Sequence, residues 1–87
     1  GLSAPFAGEV ALTVLRERGV RSVLVSEAEI GDAFRFLYAR AKLACEPAGA
    51  AAVAAVLSGK VDGGRTVCVV SGGNVAAETA AGILAGR

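Results

Sequence analysis

Histidine, methionine and tryptophan are absent from the 87 residues, and aromatics make up only 5 % of them. Without histidine, imidazole acid–base catalysis and histidine metal ligation are excluded within the chain. Only two cysteines occur, Cys45 and Cys68, far apart and in apolar runs. That is neither a disulfide framework nor a CxxC metal or redox pattern, and it suits a reducing, cytoplasmic compartment. Charge of one sign is also lacking: nine Lys+Arg against eight Asp+Glu leave +1. Such a balance does not argue for nucleic acid or an anionic membrane surface. The longest apolar run, residues 48–57, falls well short of the roughly 20 residues a bilayer needs. With no methionine, the opening Gly1-Leu2-Ser3 reads as an excised or processed end, and no secretory signal pattern begins it.

What is present is 54 % apolar and 20 % charged, a composition that folds. Ser3 can cap a helix opening near Pro5, with Val10, Ala11, Val14 and Leu15 on one face and Gly19 ending it. Residues 21–26, with Val23, Leu24 and Val25 in a row, read as a buried parallel strand. Ser26 and Glu29 form a capping box, and Ile30, Ala33, Phe34, Leu37, Tyr38 and Ala41 follow at helical spacing. Pro47 breaks that pattern. A helix over residues 48–57 has no polar face, which predicts burial on nearly all sides, and Ser58-Gly59 closes it. After a turn at Asp62-Gly63-Gly64, residues 66–70 (TVCVV) read as a second buried strand. The tight loop Ser71-Gly72-Gly73-Asn74 leads into a last helix over residues 75–84.

The order α-β-α-α-β-α predicts an α/β fold with parallel pairing, part of a three-layer αβα domain. Two strands do not complete a parallel sheet covered on both faces. The segment is therefore expected to be incomplete alone and finished by further sequence or a companion chain.

Two positions stand out for chemistry. The loop at Ser71, Gly72, Gly73 and Asn74 follows a strand, where ligands of open α/β sheets bind. Glycines there admit a ligand to the backbone, and a helix N-terminus offers free N–H groups. An ordinary strand-to-helix turn, with Asn74 as the cap, accounts for the same residues. Glu46, before Pro47 and between two apolar helices, could orient a ligand or serve as a helix-start acid. Lys42 and Lys60 sit near helix ends, where cations are favoured. Cys68 reads as a small core residue, and Cys45 has no neighbour in sequence to activate it.

Taken together, Leu43-Ala44-Cys45-Glu46-Pro47-Ala48-Gly49-Ala50, Leu57-Ser58-Gly59-Lys60 and Val69-Val70-Ser71-Gly72-Gly73-Asn74-Val75 resemble the C-terminal part of the threonine dehydratase and serine racemase family. These are fold type II pyridoxal-phosphate enzymes. Gly1-Leu2-Ser3 resembles the end of the family's A-D-G segment, and Val25-Ser26-Glu27-Ala28-Glu29-Ile30 its V-S-E-x-E-I segment. The resemblance implies that residues 1–87 are the C-terminal segment of the large, cofactor-binding domain. It implies that the Ser71 hydroxyl meets the pyridine nitrogen of pyridoxal 5′-phosphate. Gly72 and Gly73 would let the backbone approach the ring, Asn74 would shape the turn, and Glu46 would lie just behind the cofactor. Gly1 would lie near the pocket at most.

The family's Schiff-base lysine, phosphate-binding loop and ring-hydroxyl asparagine lie upstream of what this chain contains, and its metal ligands lie mainly just before Gly1. Where the family often has Asp after the asparagine, this chain reads Val75-Ala76-Ala77, and no ACT-type domain is expected to follow. No catalytic residue and no metal ligand is therefore expected within the segment, which alone should be inactive. The implied activity of the complete enzyme is dehydration of threonine or serine to a 2-oxo acid and ammonia, with serine racemisation as an alternative. The implied partners are a small amino-acid substrate, the rest of the enzyme and further copies in a homo-oligomer. A free-standing, non-catalytic α/β module binding a ligand or protein, or an isolated fragment, are the rival expectations.

Overall fold

A computed structural model describes residues 8–86. The expected helix start at Ser3 and Pro5, and the place of Gly1, lie outside the described residues. The first described helix, α1, runs Glu9–Glu17. It ends as its glycine predicts: Gly19 takes φ +63°, while the Gly19 and Val20 N–H groups donate to the Arg16 and Leu15 carbonyls.

The second helix, α2, spans Glu27–Phe36. Its capping box forms as read: the Glu29 N–H donates to Ser26 Oγ at 3.1 Å and the Ser26 N–H to Glu29 Oε1 at 2.7 Å. The helix continues into a π-helical turn, Leu37–Ala41, which closes at Lys42 in the left-handed region (φ 58°). Widening the turn changes its phase. Leu37 therefore stays buried while Tyr38 and Ala41, expected on the same stripe, turn to solvent.

Pro47–Ala50 forms a tight 3₁₀ turn that leads directly into α3, Ala51–Leu57. Ser58-Gly59 closes it, with the Gly59 and Lys60 N–H groups bonded to the Val56 and Ala55 carbonyls. The turn at Asp62 forms too, its carboxylate accepting the Gly64 N–H at 3.1 Å. The last helix, α4, spans Ala77–Leu84.

The core lies between α2 and α3. Ile30, Ala33, Phe34 and Leu37 pack with Cys45, Ala50, Val53 and Ala54, and Val25, Cys68, Val70, Ala80 and Ile83 flank them. Phe34, only 1 % exposed, is the largest side chain sealed inside. The apolar helix expected to be buried on nearly all sides is buried at Ala50, Val53 and Ala54, half-buried at Ala51, Ala52, Ala55 and Val56, and exposed at Leu57. α2 covers the buried face, and Cys68 reaches the Ala52 carbonyl from the segment 66–70.

Neither expected strand pairs. Among the described residues no β-ladder forms, and residues 21–26 and 66–70 run as irregular chain. The second segment nevertheless keeps the two-residue alternation of a strand. Cys68 and Val70 pack on the core, while Val67 and Val69 are 90 % and 70 % exposed. Leu24 and Val25 divide in the same way. Both segments have an apolar outer face, and among the described residues neither is hydrogen-bonded into a ladder.

Candidate functional site

Glu46 is placed by its successor. A residue before proline is driven to extended backbone, and Glu46 has φ −72° and ψ 156°. Its carbonyl accepts the Gly49 N–H at 2.9 Å, closing the turn that starts α3. Its own N–H points the other way, into the Ser71–Asn74 loop, and donates to the Gly72 carbonyl at 2.9 Å. Two stretches 26 positions apart in sequence (72 − 46 = 26) are thus joined backbone to backbone.

Three glycines make that approach feasible. A Cβ on Gly72 would overlap Glu46 Oε1. One on Gly49 would lie 3.1 Å from the Gly72 carbonyl oxygen and 3.3 Å from its nitrogen, and one on Gly73 would lie 3.3 Å from the Ala44 carbonyl oxygen. The missing side chains of Gly72 and Gly73 are accounted for by protein neighbours on the Ala44–Glu46 side.

Ser71 is exposed, and among the described residues its hydroxyl bonds to no protein group. Asn74 is exposed at the centre of a three-residue turn closed by the Val75 N–H and the Gly73 carbonyl at 2.9 Å. It does not cap the last helix. α4 starts two residues later than expected, behind Ala76, with no side-chain cap. Val75 and Ala76 therefore separate the loop from the helix N-terminus, and neither supplies a capping oxygen. Of the residues singled out by sequence, Glu46, Gly72 and Gly73 come together, with Ser71 adjoining them; Asn74 stands one step outside.

Other groups are committed elsewhere. The Lys42 ammonium donates to the Ala39 carbonyl at 2.8 Å. Lys60 bonds Glu29 Oε1 at 2.7 Å and the Leu24 carbonyl at 2.9 Å. That contact, with the capping N–H of Ser26, holds the Glu29 carboxyl down at about 2. Burial pushes the Cys45 thiol up, away from the thiolate that nucleophilic chemistry needs. Arg35 joins Asp32 at 2.6 Å and reaches the Ile83 carbonyl at 2.8 Å, tying α2 to α4. Sequence reading did not reveal the Lys60–Glu29 and Arg35–Ile83 links, since no local pattern marks partners 31 and 48 residues apart.

An exposed neutral hydroxyl beside a tightly held loop suits a ligand's aromatic nitrogen, to which it can donate one hydrogen bond.

The sequence profile of the pyridoxal-phosphate dependent enzymes matches residues 1–72. The chain belongs to that family. Its members use pyridoxal phosphate, and the region carrying Glu46, Ser71 and Gly72 lies within the match. The L-threonine dehydratase catabolic TdcB of Staphylococcus aureus (strain N315) is 39 % identical over 89 residues, covering 97 % of this chain and 26 % of the relative. The protein of the same name from Escherichia coli (strain K12) is 43 % identical over 72 residues, covering 78 % and 22 %. The L-threonine ammonia-lyase of Thermotoga maritima is 39 % identical over 77 residues, covering 86 % and 19 %. The chain thus spans about a quarter or less of the length of these relatives. No solved structure gives a significant match. No helix among the described residues is long and apolar enough to cross a membrane.

Proposed function

We propose that this chain is the C-terminal segment of the pyridoxal-phosphate-binding domain of a threonine or serine dehydratase, and that Ser71 is its contact with the cofactor's ring nitrogen. The observation that carries the reading is the pairing of a fixed loop with a free hydroxyl. Gly72 is hooked to Glu46 at 2.9 Å, while the neighbouring Ser71 side chain faces solvent with no protein partner among the described residues.

When bound, pyridoxal phosphate supplies an electron sink for chemistry at the amino-acid α-carbon. The chain's own contribution is electrostatic restraint. A carboxylate at position 71 would hold a proton on the ring nitrogen; the Ser71 hydroxyl is neutral and donates a hydrogen bond without supplying that charge. A less strongly charged sink favours prompt loss of the substrate's β-hydroxyl over transamination. The Gly72 and Gly73 backbone keeps the hydroxyl at a set depth, and Asn74 turns the chain away towards α4.

In the complete protein, residues 21–26 and 66–70 add to a parallel sheet within a three-layer αβα domain. The exposed apolar faces of Leu24, Val67 and Val69 support this, since a free-standing module would leave them to water. The tethering lysine and phosphate-binding loop come from the remaining polypeptide, so this segment alone is inactive. A homo-oligomeric, cytoplasmic enzyme completes the proposal.

The test is Ser71→Asp in the full polypeptide. The absorbance spectrum of the bound cofactor shifts, and a larger share of turnovers ends in transamination rather than ammonia release. An unchanged spectrum with unchanged product ratios overturns the role given to Ser71.

A further inference from the structure

We propose that Glu46 is a positioning residue for Ser71, and that its carboxylate is seated in the space opened by the missing side chain of Gly72. The inference rests on the reading of Ser71 as the cofactor contact and extends it to what aims that hydroxyl.

The geometry is reciprocal. Through its main chain, Glu46 holds the Gly72 carbonyl at 2.9 Å. Through its side chain it fills the volume where a Gly72 Cβ would stand, with Cδ 3.0 Å and Cγ 3.5 Å from that point. The carboxylate is only half-buried and, among the described residues, accepts no hydrogen bond, so no polar partner fixes it. Its place is set by Pro47 on one side, which keeps Glu46 extended, and by the bare Cα of Gly72 on the other. Gly49 backs the same seam, since a Cβ there would already press on the Gly72 peptide. Ser71 is one peptide bond away from this seat. Moving Gly72 moves the Ser71 hydroxyl, whereas moving Asn74 does so only through three peptide bonds.

The consequence is a specific non-additivity. A methyl on Gly72 takes the place of the Glu46 carboxylate and forces that half-buried side-chain end out of its seat, whereas it displaces nothing once the side chain is cut back. Four proteins test this as full polypeptides with pyridoxal phosphate bound: wild type, Gly72→Ala, Glu46→Ala and the double variant. The measurements are kcat/KM and the absorbance spectrum of the bound cofactor, which a purely structural lesion far from the ring would not move. Displacing a reacting contact by about 1 Å can cost about 100-fold, so Gly72→Ala is expected to lose about that factor and to shift the spectrum as Ser71→Ala does. Adding Glu46→Ala to Gly72→Ala should return at least about tenfold of the loss.

Losses that simply multiply in the double variant overturn the proposal. If Gly72→Ala does not accumulate as folded protein, recovery of folded protein in the double variant is read instead, and absence of recovery overturns it. The Ser71→Ala protein separates the two readings. If it leaves the cofactor spectrum unmoved while Gly72 and Glu46 remain coupled, the assignment of Ser71 fails and the seat stands. If it moves the spectrum while Gly72 and Glu46 act independently, Ser71 stands and the positioning role of Glu46 fails.

Discussion

Lys60 and Glu29, 31 residues apart in the chain, meet in a 2.7 Å ion pair that closes the end of α3 onto the first turn of α2. The same ammonium donates to the Leu24 carbonyl at 2.9 Å, so one side chain fixes α3, the α2 cap and the segment before it.

This pair predicts an acid-sensitive fold. The Glu29 carboxyl falls from 4.5 to about 2 in the folded chain, first through the Lys60 hydrogen bond and then through the Ser26 N–H. A depressed carboxyl contributes stability that is fully present above its unfolded value and is lost as pH falls through the folded one. The urea midpoint should therefore fall as pH drops from 4.5 towards 2. In Lys60→Ala that fall should be shallower, because the largest cause of the depression is gone. Equal slopes in both proteins would remove Lys60 from the account.

Arg35 is expected to act as a latch on α4. Its guanidinium bonds the Ile83 carbonyl at 2.8 Å while Asp32 steadies it at 2.6 Å. The group is part-exposed, so Arg35→Ala should cost about 1 kcal/mol rather than the larger value of a buried charged bond. Hydrogen exchange locates the effect: the amides of α4 lose protection, while those of α3 keep theirs.

Gly49→Ala should destabilise the chain. The added methyl meets the Gly72 peptide at 3.1 and 3.3 Å, and that peptide cannot retreat without stretching its bond to the Glu46 N–H. Overpacking of this kind costs about 1–3 kcal/mol. Lost freedom of the unfolded chain offsets about 0.4–1 kcal/mol of it. Urea denaturation monitored by circular dichroism reads the difference, and a more stable variant would show that the seam is loose.

The two thiols should react unequally. Cys45 is buried and its thiol is pushed up by that burial, whereas Cys68 is half-buried and makes only a weak 3.8 Å contact with the Ala52 carbonyl. A disulfide reagent at pH 8 should modify Cys68 at least about tenfold faster. Denaturant should abolish the difference. Equal native rates would mean that Cys45 is not sealed.

Short-range chemistry was legible in the amino acids themselves. Ser26 and Glu29 sit three residues apart and cap α2 with no help from the rest of the chain, and Gly19 and Gly59 end their helices because a left-handed residue is needed there. The motifs around Glu46 and Ser71 likewise carried the family, since composition and spacing survive without a fold. What required three dimensions was every relation across distance. Glu46 hooks Gly72, Lys60 meets Glu29, and Arg35 holds Ile83 only because packing Phe34 against α3 brings those backbones within reach. The helical period of α2 could not foretell its π-helical turn, nor could the valines of residues 66–70 form a strand by themselves. A helix bonds within its own segment, whereas a strand needs a second backbone beside it.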